Sequence, residues 1–129
     1  MEQMFIDLDN FKQVNDLYGH DAGDEVLIEV SNRIIKVTEP SDRLVRIGGD
    51  EFILIKPGKS DREKINQTAQ NIINTLSDWS DSTYQINVSA SVGIAEYTTE
   101  CKDIKVLLKK ADNALYEVKR QGKRGFIHA

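Results

Sequence analysis

The sequence predicts an α+β domain, an antiparallel-rich sheet with amphipathic helices packed on one of its faces. Three observations carry that expectation. Strand-like and helical patterns alternate along the chain, two strand-like runs lie close enough to form a hairpin, and one long run alternates apolar and polar residues as a half-buried antiparallel strand does. A chain of 129 residues with 40% hydrophobic content suffices for one buried core, so residues 1–129 are expected to form a single domain.

Met4-Phe5-Ile6-Asp7-Leu8 opens the chain as an apolar run interrupted by one acid, a buried strand ending in polar residues. Asn10 to Asp16 turns from strand to helix. From Asp24 onward, Val26, Leu27, Val30, Ile34 and Val37 recur at helical spacing with charged residues between them. Leu44–Ile47 and Phe52–Ile55 are strand-like and meet through Gly48-Gly49-Asp50-Glu51, where glycines permit the positive backbone angles of a tight turn. After Pro57-Gly58, Ser60 with Glu63 makes a capping box before Ile65, Ala69, Ile72, Ile73 and Leu76. Tyr84 to Ala95 alternates with a period of two, its polar side expected to face solvent. Ile104, Leu107, Leu108, Ala111, Leu115 and Val118 restore the helical period, Gly122 suits the helix end, and Phe126-Ile127 closes the chain as a short strand. This order is that of ferredoxin-like α+β folds.

Composition narrows the function. The 17 basic and 21 acidic residues leave a formal charge of -4, which disfavours nucleic acid or an anionic membrane as the main partner. Cys101 is the only cysteine, so no internal disulfide forms and a reducing cytoplasm fits. No apolar run approaches a membrane span.

Several residues are suited to chemistry. Asp50 and Glu51 sit on a turn whose Gly48 and Gly49 carry no side chain to block a ligand, an arrangement fit for a phosphate and its metal, although the turn by itself reads first as a plain polar hairpin turn. Asp7 is a second acid at the end of an apolar strand, where an unpaired carboxylate is costly to bury. If the first strand neighbours the hairpin, Asp7, Asp50 and Glu51 converge into an oxygen cluster of the kind magnesium takes when it also holds phosphates. Asp7 also fits a helix-capping role, for which Asp9 is better placed. Backbone N–H groups at the helix start near Asn10 can hold anions. Asn15 and Asp24 have the donors and acceptors for a guanine edge and also suit caps. Lys119 and Lys123, one turn apart, fit either a triphosphate or the negative end of a helix dipole. His20 and His128 lack partners for a zinc site or a triad and read as surface residues.

In order and spacing, Phe5–Asp16, Gly19–Asp24, Arg46–Phe52, Ser91–Ala95 and Ala111–Tyr116 resemble the GGDEF family of diguanylate cyclases. Five ordered segments carry far more weight than the Gly48–Phe52 pentapeptide alone. The resemblance implies a nucleotidyl-cyclase, palm-like domain that condenses two GTP into cyclic di-GMP with release of pyrophosphate. It implies Mg²⁺ or Mn²⁺ held by Asp7, the Leu8 carbonyl, Asp50 and Glu51, within a catalytic turn of Gly48, Gly49, Asp50 and Glu51. Backbone N–H groups of Asn10, Phe11 and Lys12 would hold phosphates, Asn15 and Asp24 would read guanine, and Lys119 and Lys123 would meet the triphosphate. A homodimer would bring two nucleotides together, and a sensory or regulatory domain, or a membrane anchor, would belong to a parent chain.

Three departures stand out. Met1 lies six residues before Asp7, where the family has a preceding helix with an Asp-x-Leu-Thr-x-Leu-x-Asn-Arg signature, which implies an N-terminally truncated domain. Lys123-Arg124-Gly125 stands for the more usual Arg-Asn-Arg. The Arg-x-x-Asp that binds inhibitory product in many relatives is Glu39-Pro40-Ser41-Asp42, which implies no tight product site there. The competing readings are a module that binds GTP or cyclic di-GMP without turnover, and an inactive fragment.

Overall fold

The computed structural model describes residues 1–59, 61–98 and 103–129. Its elements run β1 (Glu2–Asp9), α1 (Phe11–Tyr18), α2 (His20–Lys36), β2 (Arg43–Arg46), β3 (Glu51–Lys56), α3 (Arg62–Thr75), β4 (Ser89–Glu96), α4 (Ile104–Arg120) and β5 (Phe126–His128). The strands form one sheet in the order β2-β3-β1-β4-β5. β1 pairs antiparallel with β3 and β4, β2 pairs antiparallel with β3, and β5 runs parallel to β4. β1 is therefore central, with the hairpin on one side.

Alternation along β1 divides the core. Met4, Ile6 and Leu8 join Phe52, Leu54, Val92 and Ile94 beneath Val26, Val30 and Ile34 of α2 and Ile65, Ala69 and Ile72 of α3. Phe5 points the other way, clustering with Ala95 and with Leu107 and Ala111 of α4. Helices thus cover both faces, not the single face expected. The polar side of β4 produced that error. Every residue from Ser89 to Ala95 is buried, because serine and glycine are small enough for α4 to lie directly on them. A Cβ on Gly93 would meet the Ala111 carbonyl at 2.8 Å. Residues 84–88, expected as the start of this strand, are irregular.

Local boundaries shifted for local reasons. α2 starts at His20, not Asp24, with Gly19 at φ 90° breaking it from α1. Ser60 and Cys101 lie outside the described residues; α3 is capped by Asp61, whose carboxylate accepts from the Lys64 N–H at 2.7 Å. Gly122, at φ 114°, follows the end of α4 as expected. No helix among the described residues is long and apolar enough to cross a membrane.

Candidate active site

Strand register brings the acids together. Asp7 of β1 pairs directly with Glu51 of β3, and the Leu8 N–H donates to the Asp50 carbonyl at 3.0 Å. One carboxylate oxygen from each of Asp7, Asp50 and Glu51 lies within 4.8 Å of the others, close enough for the three to share one metal ion. Asp7 and Asp50 are half-buried and Glu51 is exposed. Burial pushes the Asp7 carboxyl up to about 6; Lys119 opposes the rise, while Asp50 and Glu51 add to it. Three hard oxygen donors, one already resisting ionisation among like charges, match a divalent cation by chemistry and by charge.

The turn itself differs from expectation in one respect. Among the positive-φ glycines, Gly48 and Gly49 are absent. Four residues, Ile47 to Asp50, separate β2 from β3, and a loop of that length reverses the chain without left-handed backbone. Arg46 holds it closed, donating to the carbonyls of Gly48 at 2.9 Å and Gly49 at 3.0 Å. Missing side chains are what matter: a Cβ on Gly48 would lie 3.3 Å from Glu51 Oε2, and one on Gly49 would project into open space.

Asp9 does not cap α1. Asn10 holds the N-cap position at φ 65° with no side-chain cap hydrogen bond, so its amide leaves the first-turn backbone N–H groups of Phe11 and Lys12 uncapped. The Phe11 ring is buried and Lys12 is exposed. Asp9 instead turns into the interior, where its side chain is fully buried. Oδ1 accepts from Ser91 Oγ at 2.6 Å and from Lys119 Nζ at 3.0 Å; Oδ2 accepts from Ser89 Oγ at 2.7 Å and from the Arg124 backbone N–H at 3.2 Å. Burial pushes its carboxyl up, but hydrogen bonds from Ser91, Ser89 and Lys119 outweigh that and hold it below the usual range. Sequence reasoning missed this role, although short serines, rather than lysines or glutamates, on a supposedly wet strand face were the available signal.

Lys119 is shared between Asp9 and Asp7, the latter at 3.6 Å, so the acids and not the α4 dipole hold it. Lys123 is not one helical turn further along the same helix. α4 ends at Arg120, and Lys123 and Arg124 take left-handed angles, φ 67° and 51°. That turn folds back so that Lys123 Nζ donates to Asn10 Oδ1 at 2.9 Å, while Asn10 Nδ2 donates to the Asn87 carbonyl.

Asn15 of α1 and Asp24 of α2 are not among the three clustered acids. Neither is a cap, since both lie inside helices. Asn15 is half-buried against Gly23, where an added Cβ would sit 1.9 Å from Asn15 Oδ1; Asp24 follows on the exposed side. His20 is exposed as expected. His128 is half-buried, its Nε2 2.5 Å from Asn66 Oδ1, because β5 carries it into the sheet.

The profile of the family described as "Diguanylate cyclase, GGDEF domain" matches residues 1–125. The bifunctional diguanylate cyclase/cyclic di-GMP phosphodiesterase MucR of Pseudomonas aeruginosa is 38% identical over 124 residues, covering 95% of the chain and 18% of that protein. Diguanylate cyclase A of Treponema denticola is 36% identical over 122 residues, covering 93% of the chain and 33% of that protein. The chain therefore spans a third or less of these curated relatives. The crystal structure of the GGDEF domain of TpbB from Pseudomonas aeruginosa superposes with a TM-score of 0.87 at 35% identity, covering 99% of the chain and 81% of that domain.

Proposed function

The chain belongs to the GGDEF domain family, and on that premise we propose that it is the catalytic domain of a diguanylate cyclase, converting two GTP into cyclic di-GMP and two pyrophosphates. The observation that carries this reading is the convergence of Asp7, Asp50 and Glu51 at the end of the central strand pair. Asp7, Asp50, Glu51 and the Leu8 carbonyl would hold Mg²⁺ or Mn²⁺, which supplies charge stabilisation to the phosphate oxygens.

The 3′-hydroxyl of one nucleotide attacks the α-phosphate of the other, forming a phosphodiester as the bond to pyrophosphate breaks. Glu51 is the exposed member of the cluster and accepts the hydroxyl proton. The uncapped first turn of α1 at Asn10, Phe11 and Lys12 offers N–H groups to the phosphates. Lys119 and Lys123 add positive charge beside them. Asn15, held in place by the absence of a side chain at Gly23, donates to and accepts from the guanine edge, and the Asp24 carboxylate accepts from its N–H groups. One domain of this kind holds one nucleotide, so the reaction requires two domains facing each other in a homodimer.

MucR, named as both cyclase and phosphodiesterase, is a relative in which such a domain is a small part of a larger chain. A second reading, a regulatory module that binds GTP or cyclic di-GMP without turnover, is favoured by the cyclic di-GMP phosphodiesterase PdeR of Escherichia coli, 36% identical over 124 residues, whose name carries no cyclase. Incubating the purified chain with GTP and Mg²⁺ and separating the nucleotides decides between them. Cyclic di-GMP and pyrophosphate are expected; bound GTP returned unchanged would replace the cyclase with the module.

A further inference from the structure

Lys119 and Lys123 have long, flexible side chains, and nothing in an isolated lysine directs its ammonium to a given place. In this fold both are directed, and by adjacent residues. Asp9 accepts from Lys119 Nζ and Asn10 accepts from Lys123 Nζ. Asp9 also anchors the backbone from which Lys123 projects, through the Arg124 N–H, in a turn where two successive non-glycine residues hold left-handed angles. Ser89 and Ser91 fix the carboxylate from β4, so β1, β4, α4 and the turn before β5 meet on one side chain.

We propose that Asp9 is a positioning residue for triphosphate binding, presenting Lys119 beside the Asp7–Asp50–Glu51 cluster and holding the turn that carries Lys123. This rests on the cyclase reading for the identity of the ligand. The two contacts of Lys119 are unequal: 3.0 Å to a fully buried carboxylate and 3.6 Å to one that is 21% exposed. When phosphate oxygens arrive, the looser contact to Asp7 yields, freeing that carboxylate for a cation, while Asp9 keeps the ammonium in place. Asp9 touches neither nucleotide nor cation and acts through Lys119 and the turn.

The test is Asp9→Asn, which keeps the side chain's size but replaces one acceptor oxygen with a donor. The probes are 3′-deoxyguanosine triphosphate, which lacks the attacking hydroxyl, and 3′-deoxyguanosine, each titrated with Mg²⁺ present. The variant should bind the triphosphate about tenfold or more weaker, as expected for disrupting a charge-assisted contact, and the nucleoside as tightly as the parent chain. In a Lys119→Met background, Asp9→Asn should cost clearly less than in the parent, only the part carried by the turn. Equal losses for both ligands, or an undiminished loss without Lys119, would reduce Asp9 to a structural role and overturn the proposal. Should Asp9→Asn fail to fold, Ser91→Ala, which strips one donor from the oxygen that holds Lys119, must show the same selective loss; an unchanged triphosphate affinity would overturn the proposal. Product formation from GTP is measured separately, so selective triphosphate binding without cyclic di-GMP removes the cyclase reading and leaves the role of Asp9 standing.

Discussion

Replacing Asp7 with asparagine should make the metal-free protein more stable while destroying its function. The Asp7 carboxyl is pushed from 3.8 up to about 6, first by burial and then by the charges of Asp50 and Glu51, against the pull of Lys119. A carboxyl whose folded pKa exceeds its unfolded value binds more protons when folded, so its ionisation opposes folding. The penalty is absent below the unfolded value and fully present above about 6. At 1.36 kcal/mol per pH unit, a rise of about two units costs about 3 kcal/mol, and partial solvent access reduces that to about 2. Asp7→Asn removes the charge and leaves a side chain of the same size. In urea titrations with a chelator at about pH 7.5, the variant should be more stable by about 2 kcal/mol, and its thermal midpoint higher by about 4–8 °C. The difference should shrink as the pH falls through 6 and vanish towards 3.8. Mg²⁺ at about a hundred times its dissociation constant should return about 2.7 kcal/mol to the parent chain and much less to the variant. A variant no more stable than the parent in chelator at neutral pH, or a gap that widens on acidification, would refute the reasoning.

Other outcomes follow from the same geometry. Glu51→Gln, at an exposed position outside the core, should not lower the unfolding midpoint, since it removes one of the charges that press on Asp7, while lowering cyclic di-GMP synthesis by about 100-fold or more, as loss of a general base does; normal turnover would remove Glu51 from the reaction. Gly23→Ala places a Cβ 1.9 Å from Asn15 Oδ1 and must displace that amide. Although alanine favours the helix by about 1 kcal/mol, the preference for GTP over ATP in competitive binding should fall, and undiminished selectivity would detach Asn15 from guanine. Asp42 is engaged by Lys56 at 2.7 Å with both side chains almost wholly buried, and Glu39, paired with Lys64 at 3.1 Å, stands where a cation would be needed. Calorimetric titration of cyclic di-GMP into the Glu51→Gln protein should therefore detect no tight site there, and micromolar binding abolished by Arg43→Ala, on the exposed side of that turn, would show the opposite.

How much of this was legible in the sequence depends on the range of the interaction involved. The helical period of Val26, Val30 and Ile34, or of Leu107 and Ala111, reports a buried stripe whatever covers it. The pairing of Leu44–Ile47 with Phe52–Ile55 is local because the turn sets its own register. Asp7 stood out as a charged residue at the end of an apolar strand, where a buried ion needs a partner, and Asp50 and Glu51 as acids on a turn whose glycines leave room for a ligand. The ordered motifs of the GGDEF family were likewise readable as sequence. Tertiary structure decided what lies across the chain. It set the central place of β1, the parallel pairing of β4 with β5, the seating of α4 on the face opposite α2 and α3, and the burial of Ser89, Ser91 and Asp9 beneath it. A two-residue alternation shows that the faces of a strand differ, but not whether the polar face meets water or another polar group. Ser89 and Ser91 meet Asp9 some eighty residues earlier in the chain, and only the packed sheet brings that carboxylate within reach.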